Sequence, residues 1–233
     1  MKENTAIKAV KGFVKDNKKE IAVLALYLLL SVMYVLFNKP RAKVYDLTTA
    51  LDRAIPFTKE FIIFYYSWYA FLVVIILSLY FKDRKGYFKL MVGFSIGITA
   101  CYIIYTVFQT TVPRPLLLGE DIFTKLTARI YANDRPYNCF PSIHVYTTVY
   151  ACFVIGEGYF KDKKLFRGIS NVLGVLIVLS TLYVKQHVIL DAVAGTALAY
   201  FLYRLFYKQE GERLFQWLKK LYLSWTMKKK LEI

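Results

Sequence analysis

The chain contains only two histidines, and each sits in a polar stretch at the edge of a long apolar run. One closes Pro141-Ser142-Ile143-His144, and the other opens His187-Val188-Ile189-Leu190-Asp191. On a helix a spacing of four puts His187 and Asp191 on one face, so the carboxylate can accept the Nδ1 proton and leave Nε2 as a lone-pair nucleophile. Two histidines so placed suit a nucleophile and a general acid. Taken alone, the second stretch fits a buried structural His–Asp pair equally well.

Arg114 lies between Pro113 and Pro115. That restriction of the backbone suits a guanidinium that must grip a phosphate with two parallel hydrogen bonds. Ser142 can cap a helix that begins at Ile143, and the free N–H groups of such a start attract an anion. Ordinary capping beside an interfacial histidine is the competing reading of that segment.

The elements that must position these groups are membrane helices. Hydrophobic residues make up 57% of the chain and fall in long runs, the pattern of an integral membrane protein and not of a soluble domain. Spans are expected at about 21–38, 61–81, 88–108, 144–160, 165–184 and 190–207, each near the roughly 20 residues a helix needs to cross hydrocarbon. The fold class is therefore all-α, with six transmembrane helices. The first span is too long for a signal-peptide core and lacks a small-residue cleavage site, so a retained helix is expected. Asp191, Gly195 and Ala199 give the last span a small-residue face that lets another helix approach closely.

Charge sets the expected orientation. Alternate connecting segments hold 22 Lys and Arg against 10 on the other set, which places both termini in the cytoplasm and both histidines on the opposite face. The net charge of +16 gathers at the ends. Residues 1–20 interleave Ile7, Val10, Phe13 and Val14 with lysines, and the basic amphipathic tail at 208–233 repeats the pattern, as interfacial helices facing anionic lipid headgroups would. The domain between them is residues 21–207. No nucleic-acid-binding motif accompanies the positive charge, so nucleic acid is not an expected partner. Cys101, Cys139 and Cys152 have no metal-ligand spacing and are expected to be free, with Cys139 in an outer loop.

Together the polar segments resemble the type 2 phosphatidic acid phosphatase (PAP2) superfamily, whose members carry Lys-x6-Arg-Pro, Pro-Ser-Gly-His and Ser-Arg-x5-His-x3-Asp. Arg114-Pro115, Pro141-Ser142-x-His144, and Ser180 with His187 and Asp191 match in order and spacing. Three positions depart: Val107 for the lysine, Ile143 for the glycine and Thr181 for the arginine. A pattern lacking those basic residues is similar to the branch containing inositol phosphorylceramide and sphingomyelin synthases.

The resemblance implies a mechanism. His187, oriented by Asp191, forms a phosphohistidine while His144 protonates the leaving alkoxide, and Arg114, Lys185, Ser142 and Gln109 bind the phosphoryl oxygens without metal or other cofactor. The expected activity is hydrolysis of a lipid phosphate monoester at the outer face of the plasma membrane. Headgroup transfer between lipids and a non-catalytic lipid-binding role are the alternatives.

Overall fold

The computed structural model describes residues 12–208 and is built almost wholly of helices. In chain order these are α1 (Lys18–Phe37), the two-residue strand β1 (Tyr45–Asp46), α2 (Ala50–Ala54), α3 (Ile62–Lys82), α4 (Arg84–Val107), the strand β2 (Thr110–Thr111), α5 (Ile122–Asn133), α6 (Ile143–Ile155), α7 (Lys164–Tyr183) and α8 (Ile189–Tyr207). Five of them, α1, α3, α4, α7 and α8, are long and apolar enough to cross a membrane. Most of the segments expected to be interfacial, residues 1–11 and 209–233, lie outside the described residues.

The expected fourth span is shorter than the sequence suggests. A helix was expected over 144–160, but α6 has 13 residues, about 20 Å at 1.5 Å per residue against about 30 Å of hydrocarbon. It stops at Gly156, and a 3-10 turn at Gly158–Phe160 follows. In that turn Gly158 has φ +58, where a side chain would also strike the Asp83 carboxylate.

A short helix is tolerable here because α6 is surrounded by α3, α4, α7 and α8 and owes lipid nothing. Its polar ends meet protein. Tyr146 and Tyr150 lie against Gly93 and Gly97 of α4, where any Cβ would overlap their rings. Their hydroxyls donate to the carbonyls of Gly93 at 2.5 Å and Lys89 at 3.0 Å.

The connecting segments gather at two ends of the bundle. At one, Tyr80 donates to Asn17 at 2.9 Å, the Tyr159 N–H donates to Asp83 at 3.1 Å, and Lys208 pairs with Glu157 at 3.1 Å. At the other, β1 pairs with β2 in parallel, Tyr45 opposite Thr110 and Asp46 opposite Thr111. The Thr58 N–H there donates to the Tyr183 carbonyl at 3.0 Å, and Asn138 to the Phe37 carbonyl at 2.7 Å. Both histidines belong to this second end.

Two helices in the cap over that end were absent from the sequence reading. Asp121 caps α5 by accepting the N–H groups of Phe123 and Thr124, and α5 lies against α3, setting Ile130 beside Ile62 and Tyr65. The signal was present as an Asp cap followed by Ile122, Leu126 and Ile130 at helical spacing. In α2, Thr49 and Asp52 form a reciprocal cap. Asp52 reaches further, accepting the Ile189 N–H at the start of α8 at 2.7 Å. Burial alone would raise its carboxyl, but Thr49, the Ile189 N–H and the Lys185 charge outweigh it and hold the group below the usual carboxylate range. The cap also buries Cys139, the cysteine expected in an outer loop.

Helix backbones approach closely at Gly195, where an added Cβ would stand 2.7 Å from the Ser142 carbonyl and 3.2 Å from the Tyr146 nitrogen. Gly195→Ala should therefore push α8 away from α6. The expected cost is about 1–3 kcal/mol of stability, read as a lower thermal midpoint in detergent; an unchanged midpoint would mean that the helices can slide apart freely.

Candidate active site

The last turn of α7 and the start of α8 hold His187 by backbone geometry. The N–H groups of Gln186 and His187 both donate to the Thr181 carbonyl at 3.0 Å, turning the chain sharply, with Lys185 at φ +52. His187 therefore sits before α8 and not on it, so the shared helical face expected for His187 and Asp191 is replaced by a cap. Asp191 reaches back to accept the Val188 N–H at 3.0 Å and, with the same oxygen, meets His187 Nδ1 at 3.3 Å. Occupying Nδ1 leaves Nε2 available.

The backbone of Asp191 brings in the second histidine. Its carbonyl accepts the Ser142 N–H at 3.2 Å, joining the start of α8 to the start of α6, and Ser142 Oγ accepts the Val145 N–H at 3.3 Å as the α6 cap. His144 follows two residues later, its ring 6.0 Å from that of His187 between centroids. The Tyr65 and Trp68 rings flank it at 4.7 Å and 4.4 Å, and Trp68 is anchored by donating to Thr147 at 3.0 Å. Among the described residues neither nitrogen of His144 has a hydrogen-bond partner, which leaves the ring free to exchange a proton with a ligand.

His187 stands where two cavities meet. One, of about 420 Å³, is lined by His144, Asp134 and eight Tyr or Trp rings from α1, α3 and α4. The other, of about 430 Å³, is lined by Arg114, Lys185, the α2 segment and the prolines around Arg114. Aromatic surface and positive charge thus lie on opposite sides of one imidazole.

Both cations are already tethered. Arg114 stacks on Tyr131 with 4.3 Å between the guanidinium carbon and the ring centroid, and donates to the carbonyls of Tyr131 at 3.1 Å and Asp134 at 2.7 Å and to Gln186 Oε1 at 2.5 Å. Its Nε is buried with no partner. Lys185 donates to the carbonyls of Asp52 at 2.9 Å and Ile55 at 2.6 Å. Partial burial pulls its ammonium below the usual lysine range, and the Asp52 charge offsets part of that.

Gln109 stands apart from this cluster. It is 2% exposed, and its amide donates to Lys39 and Asn138 while accepting the Arg41 N–H, tying three loops together. At the two family positions without a cation, Val107 is 79% exposed on the outer side of α4, whereas Thr181 is fully buried and bonds back to Val178 of its own helix.

Gln186 escaped the sequence reading, although it adjoins His187. Its Oε1 fixes Arg114 and its Nε2 is buried without a partner. Buried donors are nearly always satisfied, so Arg114 Nε and Gln186 Nε2 suit the oxygens of a bound anion. Cys139, His187 and Asp191 also bring sulfur, nitrogen and oxygen atoms within 4.8 Å of one another, a donor set able to hold a metal ion. A metal on the His187 ring would compete with nucleophilic use of that ring.

A family comparison bears on the whole constellation: the PAP2 superfamily matches residues 46–205. The chain belongs to the PAP2 superfamily. No curated protein and no solved structure matches it. The PAP2 match runs from β1 to the last turn of α8, enclosing His144, His187, Asp191, Arg114, Lys185 and Gln186 and leaving α1 outside.

Gln186→Leu should release Arg114 without removing a charge. Losing a hydrogen bond to a charged group costs about 1.5–3 kcal/mol, so kcat/KM on the true substrate should fall by roughly ten- to a hundredfold. Arg114→Lys should be nearly as harmful as Arg114→Ala, since an ammonium cannot reach two carbonyls and an amide together. Near-native rates for Gln186→Leu would remove it from the site.

Proposed function

We propose that this PAP2 superfamily protein is a membrane enzyme that hydrolyses a lipid phosphate monoester through a phosphohistidine on His187. The supporting observation is the pairing of His187, with Nδ1 against Asp191, and the unbonded ring of His144, at the meeting point of an aromatic and a cation-bearing cavity. His187 Nε2 attacks phosphorus, the bond to the lipid oxygen breaks, and protonated His144 gives its proton to the departing alkoxide. Neutral His144 then takes a proton from water, whose oxygen displaces the imidazole and releases inorganic phosphate.

Arg114, through Nε, and Lys185 offset charge on the non-bridging oxygens, aided by Gln186 and by the N–H groups at the Ser142-capped start of α6. The lipid tail occupies the aromatic side, where His144 faces the leaving group. The route needs no metal. The lower Lys and Arg content of the segments around the site supports an extracytoplasmic active face, with both termini in the cytoplasm and the basic ends against anionic headgroups of the plasma membrane.

A second reading, transfer of a headgroup between lipids, draws support from the cation count. Val107 and Thr181 supply no charge, and Arg114 and Lys185 are partly committed to protein carbonyls, so a monoanionic diester is easier to hold than a dianionic monoester. Headgroup exchange between lipids, with no phosphate released from any monoester, would favour it.

His187→Ala should abolish turnover and the acid-labile phosphoryl label, whereas His144→Ala should slow release of the alcohol by about 10²–10⁴. Retained activity in His187→Ala would end the nucleophile assignment. Chelation should leave activity intact; loss restored by zinc alone would give Cys139, His187 and Asp191 to a metal.

Topology can be read with a new thiol at Leu118, which is 76% exposed in the cap, because Cys101 and Cys139 are buried. A membrane-impermeant maleimide should label Leu118→Cys in intact cells well above the unsubstituted protein. Labelling only after lysis would invert the proposed orientation.

A further inference from the structure

The aromatic cavity contains a carboxylate that the phosphoryl chemistry above does not use. Asp134 follows the last residue of α5, and its Oδ1 accepts the Tyr34 hydroxyl and the Asn38 amide, both at 2.8 Å. Its Oδ2 takes no bond from any described residue. Arg129 lines the same cavity from an exposed position and makes no ion pair with Asp134. Tyr65, 1% exposed, also lines the cavity, and its hydroxyl is buried without a partner.

A lone carboxylate is a poor neighbour for a phosphate. The Asp134 carbonyl accepts Arg114 Nη2 at 2.7 Å, so this residue directly adjoins the proposed phosphate-binding arginine. Two negative groups so close in a poorly solvated cavity repel strongly. A positive group between them would convert the repulsion into two attractions. Tyrosine and tryptophan faces attract ammonium groups, and an ammonium N–H could also satisfy the Tyr65 oxygen. Burial outweighs the Tyr34 and Asn38 hydrogen bonds and the Arg114 charge and holds the Asp134 carboxyl above the usual carboxylate range; a bound cation would pull it back down.

We propose that the aromatic cavity binds an ammonium group carried by the leaving alcohol, between Asp134, the Tyr65 hydroxyl and the surrounding rings, so that the favoured substrate is the phosphate ester of a lipid amino alcohol. The nitrogen belongs on the leaving group because Asp134 shares its cavity with His144, the residue assigned to protonate that group. The inference rests on the phosphohydrolase reading for turnover but not for binding.

The test separates the two. Binding is measured on the full-length His187→Asn protein, which cannot form the phosphohistidine, with sphinganine 1-phosphate, N-acetylsphinganine 1-phosphate and octadecyl phosphate. These share a phosphate monoester and a long chain, and only the first carries an ammonium. The amine should bind about tenfold or more tighter than the other two, the scale of a desolvated cation–π contact with an ion pair. Adding Asp134→Asn, which retains an acceptor for Tyr34 and Asn38, should shrink that preference to about twofold. Equal affinity for the three lipids in the His187→Asn protein overturns the proposal without any further variant, and so does a preference that survives Asp134→Asn. An amine preference in binding, with no phosphate released by the unsubstituted protein from any of the three, refutes the hydrolase reading alone.

Discussion

Asp191 is fully buried next to α6, and a carboxylate in that position is stable only when hydrogen-bond donors surround it. The donors it finds build the site. Its side chain caps the start of α8 through the Val188 N–H and meets His187 Nδ1, while its carbonyl receives the Ser142 N–H. One residue thus begins a helix, orients an imidazole and docks the neighbouring helix that carries His144. Its second carboxylate oxygen is buried without a partner among the described residues.

The short α6 follows from the same constraint. Because its first turn must meet α8 at Ser142, a full-length span would carry its other end beyond the Asp83–Tyr159 contact that closes the opposite face. Ending at Gly156 resolves this, and the surrounding helices shield the polar ends from lipid. Gly93 and Gly97 serve this arrangement by letting the tyrosine rings of α6 lie on α4, and Gly195 by letting the α8 backbone come within contact of α6.

The cap over the site performs a different task. Lys185 and Arg114 do not project freely toward a ligand; each is held by carbonyls from the cap, Asp52 and Ile55 for one, Tyr131 and Asp134 for the other. Tethering lowers the number of donors free for an anion but fixes their positions, and under the proposed function that favours electrostatic stabilisation needing no rearrangement. It also explains why a chain without cations at positions 107 and 181 can retain a charged pocket.

What the sequence determined by itself was whatever depends on local composition and spacing. Long uncharged runs must be helical in lipid because every backbone polar group needs an internal partner, so five spanning helices were legible to within a few residues, and the two histidines with Asp191 stood out as rare polar groups beside them. Membership of the PAP2 superfamily was legible for the same reason. Tertiary structure decided the rest. Hydropathy cannot distinguish a helix facing lipid from one enclosed by protein, so α6 read as a full span. Nor could spacing reveal that Gln109 is consumed by loop contacts, that Gln186 holds Arg114, or that Asp134 enters the cavity beside His144, since each depends on partners 29 to 100 residues away. Those pairings arise only when the cap closes on the bundle, and there polar groups remote in the chain are forced to satisfy one another.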